Sequence, residues 1–181
     1  FRAEGFPKEL DASLARLGRD SIDLYQHHFP SNRVSIPKLM ELLADAVEAG
    51  KVKAVGVSNY SAVQMREAHA ALARRGIPLA SNQVEYSLVH RQPETNGVLD
   101  ACRELGVTLI AYSPLGMGAL TGKYTATQKA GGLRRFLPNF NKKAMNAVQP
   151  VVELLRQIGQ RYSKTPSQVA LRWLIENPQV L

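Results

Sequence analysis

The sequence predicts an α/β fold in which parallel strands alternate with helices, and three observations carry that reading. Four short runs rich in apolar and β-branched residues end abruptly in polar residues: Ser21–Pro30, Val52–Tyr60, Leu79–Ser87 and Val107–Pro114. Amphipathic stretches separate these runs, and three of them stop at a glycine followed within three residues by the next apolar run. The unit of helix, glycine and strand is roughly 26 to 30 residues long, the length of one helix plus one strand with short loops. Crossovers of this kind turn the carboxyl ends of all strands the same way, so polar residues placed there converge.

The elements can be placed one after another. Ser21-Ile-Asp-Leu-Tyr-Gln-His-His28 reads as a strand that Pro30 ends, with His28 on the face of Ile22, Leu24 and Gln26, and His27 on the other. Pro37 to Ala49 carries Leu39, Leu42, Leu43, Ala46 and Val47 at helical spacing, with Gly50 as its stop. Val52 to Tyr60 holds the second strand. Val63 to Arg75 is the next helix, capped by Ser61 and stopped by Gly76. Leu79 to Ser87 holds the third strand, Glu94 to Leu105 is the helix that ends at Gly106, and Val107 to Pro114 holds the fourth strand. Gly116 to Lys143 has no sustained period and reads as a long loop. Helical periodicity returns over Val148 to Tyr162. Thr165-Pro166-Ser-Gln168 then opens a final helix with a capping box, Pro178 stops it, and the last residues look like a beginning strand.

Four strands with their helices suit a doubly wound sheet or part of a (β/α)8 barrel, which takes about 250 residues when complete. The chain begins at Phe1, not Met, and breaks off in an apparent strand at Leu181, so an incomplete barrel is expected over 1–181. Apolar residues make up 45% of the sequence, an ordinary globular share. No run nears the roughly 18 apolar residues of a membrane helix, so no membrane partner is expected. Cys102 is the only cysteine, which excludes an internal disulfide and reads as an inert buried thiol. The formal charge of +8 is uneven. Leu105 to Val152 holds no Asp or Glu but does hold Lys123, Lys129, Arg134, Arg135, Lys142 and Lys143, a stretch that can draw in an anion or simply be a solvated loop. It lacks aromatic interleaving, zinc-finger spacing and a helix-turn-helix pattern, so nucleic acid is not the expected partner, and no metal site is assigned.

Candidate chemistry sits at the strand ends. His28 can donate to or accept from a substrate, or serve as a structural hydrogen-bonding residue. Ser58, Asn59 and Gln83 can hold a carboxamide, although Asn59 could equally cap the following helix. Tyr112 offers a flat face for a ring or fills a core. Gly116-Met-Gly118-Ala-Leu-Thr-Gly122 comes within one residue of a dinucleotide fingerprint, but no helix opens after it and no acid follows at the required distance.

Taken in order, Asp23-Leu-Tyr-Gln-His-His28-Phe-Pro30, Glu48-Ala-Gly-Lys-Val52 through Gly56-Val-Ser58-Asn59-Tyr60, Asn82-Gln83-Val-Glu85-Tyr86 and Ala111-Tyr112-Ser113-Pro114-Leu115 with Gly118 to Tyr124 resemble motifs of the aldo-keto reductase family. The resemblance covers essentially the whole chain. It implies an incomplete (β/α)8 TIM barrel, roughly strands four to seven with their helices, that binds NADPH and reduces aldehydes or ketones. On this resemblance His28 orients the substrate carbonyl and assists proton transfer. Ser58, Asn59 and Gln83 hold the nicotinamide carboxamide, Tyr112 stacks on the ring, and Ser113, Leu115 and Gly116 begin a belt over the pyrophosphate. The family's tyrosine proton donor, with its lysine and aspartate, matches no segment here, nor do the cations that read the 2′-phosphate, so the chain alone is expected not to turn over. His27 stands where an aliphatic residue is usual and needs a partner on the helix side. The loop motif resembles broad bacterial, algal and plant groups, which implies a soluble intracellular protein, cytoplasmic or plastid. Two rivals remain: a nucleotide-binding regulatory subunit like the potassium-channel β-subunits, and an unrelated barrel enzyme acting on a phosphorylated substrate through the basic loop.

Overall fold

The glycine stops fall where the sequence places them: Gly50, Gly76 and Gly106 all adopt left-handed φ, at 73°, 67° and 66°. A computed structural model describes residues 3–125, 131 and 140–181. Lys129, Arg134 and Arg135 of the basic stretch lie outside the described residues. The chain divides into two compact units, Phe1–Val84 with Pro93–Ile110, and Glu85–Gln92 with Ala111–Leu181. Among the described residues no helix is long and apolar enough to cross a membrane.

The first unit is built on strands β1 (Ile22–His27) and β2 (Val52–Ser58) and on all of β3 (Leu79–Glu85) and β4 (Thr108–Tyr112) except their last residues, Glu85 and Ala111–Tyr112, which fall in the second unit; the sheet order is β1-β2-β3-β4. The first two pairings are parallel, as βα crossovers require. Helices α1 (Phe6–Leu17), α2 (Ile36–Glu48), α3 (Ala62–Ala73) and α4 (Val98–Leu105) intervene. Met40, Leu43, Met65, Leu72, Val55, Val57 and Leu109 are fully buried in this unit's core. Helix α3 starts as its sequence dictates: Ser61 Oγ accepts from the Gln64 N–H while Gln64 Oε1 accepts from the Ser61 N–H.

Strand register decides which side chains share a face. Gln26 pairs with Gly56 and Gly56 with Ser81, while His27 pairs with Val57 and Val57 with Asn82. An irregularity between Val55 and Gly56 shifts the partner in β3 from Leu79 to Ser81, with Ala80 as the extra residue. That bulge turns Ser81 and Gln83 onto the face of Gln26, and Asn82 onto the face of His27. Gln26 reaches across Gly56 to donate to Ser81 Oγ at 3.2 Å. A side chain at Gly56 would collide with Ser81 Oγ and stand 2.8 Å from Gln26 Cγ, so the crossing requires glycine.

Three elements differ from expectation. Helix α1 has no counterpart in the sequence reading, yet Phe6, Leu10 and Leu14 are buried at four-residue spacing. Helix α4 begins at Val98, not Glu94. Gly97 is left-handed at φ 82°, and Asn96 Oδ1 accepts from the Val98 N–H at 3.1 Å, so a short 3-10 turn and a break precede it. In the second unit helix α5 (Lys142–Arg161) begins six residues before Val148, because Asn141 caps it through the Ala144 N–H at 2.8 Å. Met145 also packs with Ala119 and Phe140 and anchors its first turns.

The second unit also holds a 3-10 segment, Gly116–Thr121, and helix α6 (Pro166–Leu174), which has the expected Thr165–Gln168 capping box. Its core joins Leu120, Leu155 and Ala170. Trp173 packs on Tyr86 at 5.5 Å between ring centroids, with the Arg91 guanidinium 5.5 Å over the indole. Val180 lies in a β-bridge and Leu181 O accepts from the Ala111 N–H at 2.9 Å.

Candidate active site

At the carboxyl ends of β1, β2 and β3 the structure brings together Ser58, Asn59, Gln83 and the backbone carbonyl of His28. Ser58 Oγ donates to the Gln83 carbonyl at 2.9 Å, and the Asn59 N–H donates to that same oxygen at 2.9 Å. The Asn59 side-chain amide donates to Ser58 Oγ at 3.0 Å and to the His28 carbonyl at 3.2 Å. One residue therefore ties three strand ends together. Asn59 does so from a left-handed conformation, φ 60°, which asparagine tolerates better than most residues. It is not the cap of α3; Ser61 is.

His28 is exposed just past β1, with its ring 4.6 Å from that of Phe29. It lines a cavity of about 650 Å³ together with Phe6, Glu9, Tyr25, His27 and Leu39, a cavity that Ser58, Asn59 and Gln83 do not line. The Gln83 carboxamide is half-buried and makes no hydrogen bond among the described residues, although each of its neighbours is engaged. An unengaged carboxamide offers one donor and one acceptor side by side, the complement of another primary amide. Gln83 thus presents a group with which a primary amide, such as that of a nicotinamide, can pair.

The opposite face carries residues that sequence reasoning passed over as functional. Asn82 is 0% exposed and Tyr60 1%. Asn82 accepts from the Tyr60 N–H at 3.4 Å and donates to the Tyr60 carbonyl at 3.0 Å. The Tyr60 hydroxyl lies 2.8 Å from His27 Nδ1, with the rings edge to face at 5.9 Å. This is the partner His27 was expected to need. Burial, and then the neighbouring His28, hold the His27 imidazole below its ordinary pKa of 6.5, while burial pushes the Tyr60 phenol up to about 12. The legible signal was a fully polar residue inside an apolar strand, since a buried asparagine must find partners.

Within the second unit, Tyr112, Ser113, Leu115 and Gly116 form a second set. The Tyr112 carbonyl accepts from the Tyr86 N–H at 3.3 Å. Burial, and then the charge of Glu85, raise the Tyr112 phenol above its ordinary pKa. Ser113 is left-handed at φ 52° and its carbonyl accepts from the Gly116 N–H at 2.8 Å. The Leu115 carbonyl accepts from the N–H groups of Gly118 and Leu120, at 3.0 and 3.1 Å. Gly116 sits at φ 56°, and a Cβ there would lie 2.7 Å from Val89 Cγ2. The run itself forms a 3-10 segment, Gly116–Thr121. Cys102 is buried, and burial pushes its thiol up to about 11, which leaves it unreactive.

The sequence profile of the Aldo/keto reductase family matches residues 1–181. An aldo-keto reductase of Strobilurus tenacellus is 39% identical over 175 residues, which cover 94% of this chain and 51% of that protein. One from Schizosaccharomyces pombe, whose name specifies NADP(+), is 40% identical over 173 residues, 93% of this chain and 49% of that protein. The solved glycerol dehydrogenase of Gluconobacter oxydans superposes with a TM-score of 0.87 at 29% identity, covering 99% of this chain and 54% of that one. The chain spans about half the length of the curated relatives it matches.

Proposed function

Because the chain belongs to the Aldo/keto reductase family and its fold is an incomplete (β/α)8 barrel, we propose that it supplies the nicotinamide and carbonyl side of an NADPH-dependent reductase of aldehydes or ketones. The observation that carries this reading is the knot of hydrogen bonds from Ser58 and Asn59 around the Gln83 carbonyl, which leaves the Gln83 carboxamide to face a ligand. NADPH, when bound, supplies the hydride. Ser58, Asn59 and Gln83 hold its carboxamide, and Tyr112 supports the ring. The backbone turn through Ser113, Leu115 and Gly116 encloses the pyrophosphate. His28 donates a hydrogen bond toward the substrate carbonyl oxygen, where negative charge develops. Much of the rate comes from orientation, which the tied strand ends provide. The proton donor is a tyrosine that no segment of these 181 residues matches, so the chain by itself is expected to leave carbonyl substrates unchanged.

The test uses the full-length protein. His28→Ala is expected to lower aldehyde reduction about a hundredfold while the NADPH Kd stays within about twofold. Equal losses in turnover and cofactor affinity would make His28 a structural residue and withdraw its role. Wild-type protein that binds NADPH tightly yet reduces no member of an aldehyde and ketone panel would favour a nucleotide-binding regulatory subunit instead.

A further inference from the structure

We propose that Asn82 is a positioning residue for cofactor binding: it grips both backbone polar groups of Tyr60 and thereby locks Asn59 in the conformation that aims the strand-end amides. The inference rests on the reading that Ser58, Asn59 and Gln83 hold the nicotinamide carboxamide. Asn82 touches none of the reacting atoms. It lies on the helix-side face of β3, 0% exposed, beneath the first residues leading into α3.

Asn59 is held on one side by its N–H and its side-chain amide, which bind the Gln83 carbonyl, Ser58 Oγ and the His28 carbonyl. A left-handed non-glycine residue persists only where its surroundings over-determine it. The following residue must therefore be fixed as well. Asn82 does this through two bonds to one peptide unit's neighbours, accepting from the Tyr60 N–H and donating to the Tyr60 carbonyl. A side-chain amide has the right donor and acceptor side by side, so it mimics a strand at a place where the chain leaves the sheet. The Tyr60 hydroxyl against His27 Nδ1 gives a third tether, this one to β1. The two faces thus divide the work. One carries Gln26, His28, Ser58 and Gln83, and the other carries the support, His27, Val57 and Asn82.

In full-length protein, Asn82→Ala is expected to raise the NADPH Kd about tenfold, the usual cost of removing a buried group that orients a ligand contact. Amide hydrogen exchange at Tyr60 is expected to quicken in the same variant. Asn82→Asp keeps the volume and the acceptor but loses the donor to the Tyr60 carbonyl, so it is expected to raise the Kd in the same direction, and it serves if Asn82→Ala fails to fold. Leu72→Ala, a fully buried truncation in α3, is the control for destabilisation alone, and its Kd is expected to stay within about twofold of wild type. A Kd unchanged by either Asn82 variant, or raised equally by Leu72→Ala, overturns the proposal. Wild-type protein with no affinity for NADPH overturns the functional reading itself, and the proposal with it. The Tyr60 exchange rate then still reports whether Asn82 holds that backbone.

Discussion

The tip of β2 and the loop after β4 both place residues in left-handed conformations, but they hold them by different means. Asn59, at φ 60°, is fixed largely by side chains: its own amide, Ser58 Oγ and the Asn82 carboxamide on the next residue. Ser113, Gly116, Met117 and Gly118, at 52°, 56°, 56° and 106°, are fixed by backbone bonds from Gly116 to Ser113 and from Gly118 and Leu120 to Leu115. A backbone-held turn depends on which positions lack a Cβ. A side-chain-held turn depends on distant polar residues that no local motif reveals. A like contrast separates Gly159 in the second unit, which meets backbone, from Gly56 in the first, which meets side chains.

The largest effect is expected where a glycine meets backbone. In the second unit a Cβ on Gly159 would collide with the Lys164 carbonyl oxygen, and the Lys164 N–H already donates to the Gly159 carbonyl at 2.8 Å. Gly159→Ala must push apart the link between α5 and α6, and is expected to cost about 3 kcal/mol in urea unfolding. Gly56→Ala in the first unit meets only side chains, those of Ser81, Gln26 and Leu24. These can swing away once the Gln26–Ser81 hydrogen bond is given up, so a cost of about 1 to 2 kcal/mol is expected. Adding Ser81→Ala to Gly56→Ala should recover part of it. If Gly56→Ala proves the costlier of the two, the distinction between side-chain-held and backbone-held regions fails.

A smaller effect tests the second set of residues as a ligand surface. Tyr112→Ala in full-length protein is expected to weaken NADPH binding by about 1 kcal/mol, roughly fivefold, the worth of an aromatic stacking contact. Fluorescence titration with NADPH measures it directly. A Kd equal to that of wild type would leave Tyr112 as a packing residue.

Much of the fold was legible because its signals are local. Apolar runs, Ser61, Thr165 and the three glycine stops each act within a few residues, and their elements stand where the sequence puts them. Helix α1 shows the same kind of signal in Phe6, Leu10, Leu14 and Gly18, and could have been read. The site was legible only in part. His28, Ser58, Asn59 and Gln83 announce themselves as polar residues at strand ends, and the family resemblance gave them roles. Their support did not, for a physical reason: the bulge at Ala80 resets which β3 side chains share a face. Simple alternation from Leu79 would put Gln83 with Leu79 and send Asn82 to the ligand side. Only the register shows the reverse.

The smallest effect is a pH dependence of the His27–Tyr60 pair, and it runs in opposite directions on the two sides of neutrality. Burial lowers the His27 pKa from 6.5, so the folded chain binds this proton less well than the unfolded chain does. The stabilisation is whole above 6.5 and is lost as pH falls through the lower folded value. Burial raises the Tyr60 pKa from 10.0 to about 12, so here the folded chain keeps its proton longer. That contribution is whole below 10.0 and is lost as pH rises toward about 12. Urea unfolding across pH is expected to show a plateau with a fall at each end. Tyr60→Phe should lessen the alkaline fall, to which the buried Cys102 thiol and the Tyr112 phenol also contribute, and leave the acid one, since the imidazole stays buried. Exchange at the Tyr60 amide should quicken toward both ends in wild type, while the Gly116 and Gly118 amides, held by backbone carbonyls, hold to the intrinsic pH dependence of exchange. A Tyr60→Phe profile that superposes on wild type would show that the hydroxyl beside His27 Nδ1 carries no differential charge energy, and would leave the side-chain-held tip to Asn82, Ser58 Oγ and the Asn59 amide.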